Sequence, residues 1–125
     1  MYSSTAPQAY RQSAVMTASP MQLVVMLYDG AAKFLRQAIA AHEAGRAIDA
    51  GAPIGRAQAI VEELLATLDV EQGGEIATQL QGFYVFCLAE LASARLEASP
   101  DRLPAILELL VELRGSWAEL VTRQG

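Results

Sequence analysis

Few residues in this chain could do catalytic chemistry, and their spacing does not bring them into a recognisable catalytic site. His42 is the only histidine and Cys87 the only cysteine. A cysteine nucleophile needs a base beside it, but Cys87 lies in an apolar run, which is typical of a buried and inert thiol. His42 lies near a predicted helix end beside Glu43, where we expect a solvated surface residue. We therefore predict that the protein is not an enzyme.

The same residue counts argue against a metal or cofactor site. A di-iron bundle needs two Glu-x-x-His motifs and a zinc cluster needs several Cys or His ligands, so one residue of each type is too few. Neighbouring carboxylates such as Glu62 and Glu63 point apart on a helix. Gly73-Gly74 lacks the Lys and Ser/Thr that a phosphate-binding loop requires. We predict no metal and no cofactor.

Composition and charge narrow the class of protein further. The chain has 125 residues, of which 53% are hydrophobic and 18% charged, so we expect a single ordered domain with one core. Its net charge is −5, with +2 in residues 1–42 and −7 in residues 43–125. Without a basic stripe, neither nucleic acid nor an acidic membrane surface is an expected partner. No apolar run reaches a membrane span and no signal-peptide pattern opens the chain, which favours a cytoplasmic protein.

Apolar residues recur at helical spacing along most of the chain, which predicts an all-α protein. The short connections favour an antiparallel up-down four-helix bundle. Residues 1–18 are predicted to be a leader that forms a cap or short extra helix, and residues 19–125 to be the bundle domain. The predicted helix starts are Ser19-Pro20, the region near Pro53, about Glu75 after the Gly73-Gly74 break, and Ser99-Pro100. The first helix is expected to end at about Glu43 and the second at Leu68.

The predicted helices carry more apolar surface than one core requires. Residues 83–88 form a run of six apolar residues, so side chains there point in every direction around the third helix. Leu109 and Val111 lie beside the main apolar stripe of the fourth helix. The leader, a second copy of the chain or a client protein could cover this surface, and a broad core with scattered exposed residues is the remaining alternative.

Several segments together resemble the FliS family of flagellar secretion chaperones. The resemblance covers residues 9–121. Its motifs are Tyr10-Arg-Gln12, Val15-Met-Thr-Ala-Ser-Pro20, Met26-Leu-Tyr-Asp-Gly-Ala31, Ala57-Gln-Ala-Ile60, Gly73-Gly-Glu-Ile-Ala77 and Leu113-Arg114 before Trp117. The order of these motifs makes the resemblance specific.

This resemblance implies a cytoplasmic helical bundle that binds the C-terminal segment of flagellin, prevents its polymerisation and delivers it to the flagellar export gate. It also implies that the leader covers part of the client surface and contacts the gate. The alternative is a non-catalytic bundle whose apolar surface is a homodimer interface. We assign the client groove to Ile60, Leu64, Leu80, Phe83, Tyr84 and Val85, and the cap and gate contact to Tyr10, Val15 and Met16.

Three further residues have predicted structural roles. Asp29, in the middle of the first helix, is expected to bond a neighbouring backbone group or an arginine. Gly30 is expected to admit a close helix–helix approach, because a glycine inside a helix costs about 1 kcal/mol relative to alanine. Trp117 is expected to anchor the last helix in the core.

Overall fold

Four α-helices make up most of the protein. The structure, a computed structural model, describes residues 19–124. The helices are α1 (Pro20–Glu43), α2 (Gly51–Thr67), α3 (Val70–Glu97) and α4 (Leu103–Gln124), and a short 3-10 helix (Ala47–Ala50) precedes α2. α1 packs against α2 and α4, α2 packs against α3, and α3 touches α4 only sparsely. This ring of short-connected neighbours confirms the predicted all-α four-helix bundle.

The start of α1 follows directly from the local sequence. The Ser19 hydroxyl accepts a hydrogen bond from the Gln22 backbone N–H at 3.1 Å, and the Gln22 side chain accepts one from the Ser19 backbone N–H at 2.8 Å. This reciprocal pair satisfies two N–H groups that no helical carbonyl reaches. Pro20 occupies the first helical position, where its missing N–H costs nothing. The predicted start and the end at Glu43 are both confirmed.

The starts of α2 and α4 differ from the predicted ones. The loop expected before Pro53 contains the 3-10 helix, and α2 begins at Gly51. The prediction that Ser99 caps the last helix is wrong, because the Ser99 hydroxyl accepts from Asp101 N in a turn and α4 begins at Leu103. A Ser-Pro pair therefore opens a turn as readily as a helix, and its position alone does not distinguish the two.

α3 starts with a separate turn before its long regular part. Asp69 caps this turn by accepting from Gln72 N at 3.1 Å. Gly74 then has φ 61° and ψ −137°, a backbone conformation in which helical hydrogen bonding is interrupted. The regular part of α3 begins beyond Gly74, which agrees with the predicted start at about Glu75.

The core runs along the axis of the bundle and contains one polar contact. Tyr28 on α1 and Tyr84 on α3 are both buried, and their hydroxyl oxygens lie 2.7 Å apart in a hydrogen bond. Cys87 is fully buried, as expected. The largest other fully buried side chains are Leu35, Ile54, Val61, Leu91, Leu103, Ile106 and Leu110.

The predicted leader, residues 1–18, lies outside the described residues, so its boundary with the bundle stays a prediction. Within residues 19–124, no helix combines the length and the apolar character that crossing a membrane requires.

Candidate functional site

The sparse contact between α3 and α4 leaves an open groove between these two helices. This α3–α4 groove has a volume of about 520 Å³. Its apolar walls are Ile76, Leu80 and Phe83 from α3, and Leu109, Leu113, Trp117 and Leu120 from α4. Ile76 is 70% exposed, and Leu109 and Leu120 are 39% and 38% exposed. Large side chains exposed together in one concave surface are typical of a binding site for an apolar partner.

The floor of the groove rests on the bundle core. Leu80, Phe83 and Trp117 are partly buried and pack against the core cluster. The ring centroid of Phe83 lies 5.8 Å from that of Tyr84 in a tilted arrangement. Tyr84 in turn bonds Tyr28, so the floor is supported by buried side chains of α3 itself and of α1. The floor is therefore fixed, while the rim residues remain accessible.

The structure divides the residues that the sequence assigned to a groove. Leu80 and Phe83 line the α3–α4 groove, and their contact with a client stays a prediction. Leu64 and Tyr84 are each 2% exposed and belong to the core, so in this conformation neither offers surface to a partner. The apolar spacing of α2 and α3 assigns both residues to a helix face without separating an inward from an outward position.

Ile60 and Val85 lie away from the α3–α4 groove. Ile60 packs on α1, where a Cβ added to Gly30 would lie 3.1 Å from its Cδ1. This contact confirms the close helix approach predicted at Gly30. Val85 is 53% exposed on α3 but does not line the groove. Tyr10, Val15 and Met16 lie outside the described residues.

Sequence reasoning missed the whole α4 wall of the groove. Trp117 was expected in the core, but it is only partly buried and lines the groove. Leu109, Leu113 and Leu120 share its side of α4. The signal that could have found them was the surplus of apolar residues on this helix, which the sequence analysis noted at Leu109 without assigning it to a site.

Charge around the groove is acidic, because Glu112 is the one charged residue among its lining residues within the described chain. On another face of α4, Arg114 donates to both carboxylate oxygens of Asp29 at 2.8 and 3.4 Å. This ion pair ties α4 to α1 and confirms the arginine partner predicted for Asp29. Because both side chains are about half exposed, the pair orients the helices more than it stabilises them.

A second apolar groove lies between the start of α1 and the end of α2. This α1–α2 groove has a volume of about 1100 Å³. Its apolar lining comes from the first three turns of α1, and Glu63 and Thr67 contribute from α2. The α1 residues concerned are Pro20, Leu23, Val24, Met26, Leu27 and Gly30. The groove begins at the residue where the leader joins the bundle.

Reactive side chains are not grouped in the described part of the chain. Across residues 19–124, no three His, Cys, Asp or Glu residues come together as a metal site would need. Burial raises the pKa of the Cys87 thiol to about 12, so the nucleophilic thiolate does not form at neutral pH. His42 differs from expectation, since it is partly buried and its Nε2 has no hydrogen-bond partner among the described residues.

The fold and the grooves define a four-helix bundle protein that presents open apolar surface. A family model described as Flagellar protein FliS matches residues 2–124. The chain therefore belongs to the FliS family.

Curated relatives match over nearly their whole length. The flagellar secretion chaperone FliS of Salmonella typhimurium is 36% identical over 125 residues, which covers 96% of this chain and 93% of the relative. FliS of Campylobacter jejuni is 33% identical over 120 residues, covering 96% of this chain and 94% of the relative. FliS of Bacillus subtilis is 28% identical over 113 residues, covering 90% and 84%. These relatives are named as chaperones, a class that is typically not enzymatic.

Proposed function

We propose that this protein is a cytoplasmic export chaperone that holds the C-terminal segment of flagellin in the α3–α4 groove. Holding that segment prevents flagellin from polymerising before export, and the complex delivers it to the flagellar export gate. Chaperone and client act through binding alone, so the proposal needs no nucleotide, metal or covalent step.

The open apolar surface of the α3–α4 groove is the observation that carries this proposal. Ile76, Leu109 and Leu120 are too exposed to serve the core, yet they line one cavity with the partly buried Phe83 and Trp117. An amphipathic helix that inserts its apolar face would remove these side chains from water. Apolar burial contributes about 25 cal/mol per Å², so the groove contributes to affinity in proportion to the apolar area that the client covers.

Charge complementarity describes the client segment further. Glu112 lies among the groove residues, and Glu108 precedes it by one helical turn on the exposed part of α4. A client helix with a lysine or arginine beside its apolar face would pair with this rim. Each copy has a net charge of −5, and the repulsion between copies would oppose self-association through the empty grooves.

Paired substitutions on α4 test the groove assignment. Leu109 is 39% exposed and lines the groove, whereas Val111 is 42% exposed and does not. We expect Leu109→Glu to weaken binding of the flagellin C-terminal segment at least tenfold, because a carboxylate would be buried against the client. Val111→Glu is the matched control and should bind as the wild type does. Leu64 and Tyr84 are unsuitable for this test, since glutamate at either position would disrupt the core.

Calorimetric titration of the full chain with that segment is the direct measurement. We expect saturable one-to-one binding with a negative heat-capacity change, the signature of apolar burial. Equal affinity for both glutamate variants would move the client away from the α3–α4 groove. No binding, together with a stable dimer by light scattering that Leu109→Glu dissociates, would instead favour the homodimer interface.

The leader is proposed to cover the α1–α2 groove when no client is bound, with Tyr10, Val15 and Met16 as its apolar contacts. The α1–α2 groove is then a second part of the client surface, in addition to the α3–α4 groove. The groove starts at Pro20, directly after the leader, so a short segment can reach it. We expect deletion of residues 1–17 to leave the helical content of the bundle intact and to increase binding of an apolar dye. Unfolding of the truncated chain would show that the leader belongs to the core, and loss of export-gate binding would support the gate contact.

A further inference from the structure

A third cavity lies at the opposite end of the bundle from the α3–α4 groove. This end cavity, of about 270 Å³, forms where the end of α1, the start of α2 and the end of α3 meet. Its walls are mostly small side chains such as Ala50 and Ala94, and its polar groups come from His42 and Arg95. Along α3 it is separated from Phe83 by 11 residues, or about 16 Å, so a partner here leaves the α3–α4 groove free.

Arg95 is held against α2 by two glycines. Its guanidinium approaches the backbone so closely that a Cβ added to Gly55 would lie 2.8 Å from Nη1, and a Cβ added to Gly51 would lie 3.8 Å from Nε. Among residues 19–124, its side chain makes one hydrogen bond, a long one of 3.4 Å to Gln58. No carboxylate of residues 19–123 forms an ion pair with it, in contrast to Arg102 and its partners on the same end of the bundle.

The imidazole of His42 is the second polar group of the cavity, and one of its nitrogens lacks a hydrogen-bond partner in the described chain. The Nε2 atom of His42 is buried and makes no hydrogen bond there. Buried polar atoms are nearly always paired, so an unpaired one points to a group that residues 19–124 do not supply. Arg95 presents N–H donors at the cavity, and α2 starts there with no side-chain cap. Arg95 is therefore a cation without a carboxylate partner among residues 19–123.

We propose that the end cavity binds a carboxylate side chain from an acidic peptide segment of a partner protein. Arg95 donates hydrogen bonds to the carboxylate, and Ile48, which lines the cavity and is 92% exposed, contacts an apolar residue beside it. The small volume accommodates one side chain rather than a helix. A free inorganic anion would satisfy Arg95 but would leave Ile48 exposed, which is why a peptide fits the cavity better.

Nuclear magnetic resonance on the full chain tests this site with defined probes. Acetyl-Leu-Glu-Leu-amide should shift the amide signals of residues 42–54 and 94–98 in a saturable way. Acetyl-Leu-Gln-Leu-amide, which differs only in the charge, should bind at least fivefold more weakly. Equal binding of the two peptides, or shifts spread over the whole surface, would overturn the proposal. Inorganic phosphate that binds as tightly as the glutamate peptide would reduce the cavity to a simple anion site and overturn the peptide assignment.

Variants test whether Arg95 is responsible for binding, and they use substitutions that keep the fold of the bundle. Arg95→Gln should weaken binding of the glutamate peptide at least fivefold. Gly55→Ala should weaken it too, because the new methyl group displaces the flexible guanidinium while α2 keeps its fold. Gly115→Ala, where nothing lies within 4 Å of the added methyl group, is the control. Leu109→Glu should leave binding of the glutamate peptide unchanged. A negative result for the end cavity can therefore be distinguished from a negative result for flagellin binding in the α3–α4 groove. Wild-type affinity in Arg95→Gln would refute the role of the cation.

Discussion

The hydrogen bond between Tyr28 and Tyr84 offers a sharp test of the core. The two hydroxyls lie 2.7 Å apart in the buried interior and join α1 to α3, which are not neighbours in the ring of helices. We expect Tyr84→Phe alone to destabilise the protein, because it leaves the Tyr28 hydroxyl without this partner in an apolar region. The double variant with phenylalanine at both positions removes both hydroxyls together.

The expected magnitude follows from the burial of both residues. Leaving one buried hydroxyl unsatisfied costs about 1–3 kcal/mol, whereas replacing both partners by apolar groups is close to neutral. The double variant should therefore be no less stable than Tyr84→Phe, with a coupling free energy of about 1 kcal/mol or more between the two sites. Burial raises the pKa of both tyrosines, which agrees with hydroxyls that are shielded from water.

Urea unfolding of the four proteins in this cycle measures the coupling. Single-variant losses below about 0.5 kcal/mol, adding up in the double variant, would mean that the two hydroxyls do not depend on each other. Flagellin binding provides a second readout. Tyr84→Phe should bind normally, since its hydroxyl faces α1 while Phe83 lines the α3–α4 groove. A selective loss of binding would show that the hydroxyl supports the groove and not only the core.

Three other predictions concern single positions. Gly115→Ala should stabilise the protein by up to about 1 kcal/mol in thermal unfolding, because Gly115 is an open helical position. Gly74→Ala should destabilise the protein, because φ at Gly74 is 61°. A change in stability of the same sign for both variants would refute this argument from backbone conformation. Arg114→Met should lower the free energy of unfolding by about 0–1 kcal/mol, because the ion pair with Asp29 is half exposed. The difference from the wild type should be smaller at 1 M salt, which screens the pair. A loss above about 3 kcal/mol would mean that the pair behaves as a buried one. The pKa of the Cys87 thiol rises from 9.0 in the unfolded chain to about 12 in the folded protein, so its contribution to stability is complete below pH 9 and is lost as pH rises through 12. Cys87→Ala should therefore reduce the loss of stability with pH in this range. If denaturant titrations show the same dependence of stability on pH in the variant and the wild type, Cys87 is not the group responsible.

Local sequence was sufficient wherever a structural feature depends on neighbouring residues. The Ser19 cap and the break at Gly74 could both be placed in advance, because the atoms that satisfy or interrupt the helix lie within four residues. Ser99 was misassigned for the opposite reason. Its hydroxyl can cap either a turn or a helix. The ion pairs that join Arg102 to Glu90 and Glu97 of α3 depend on how the α3–α4 connection folds, which the local pattern does not contain.

The candidate site could be predicted only in part. Surplus apolar residues on the third and fourth helices indicated a partner surface, and Leu80 and Phe83 were placed in it. Tyr84 follows Phe83 directly and has the same apolar character, yet it lies in the core because one residue turns the helix by about 100°. Spacing along a helix does not reveal which side another helix covers.

By itself, the sequence determined the fold class, the helices and the membership of the FliS family, because periodicity, caps and motifs are properties of the chain. The tertiary structure decided which apolar residues are exposed. It left α3 and α4 apart at Trp117, buried Leu64 on α2, and brought Arg95 onto the glycines of that same helix. Exposure depends on the distance between helices that are remote in sequence, and that distance is set by the packing of all four helices together.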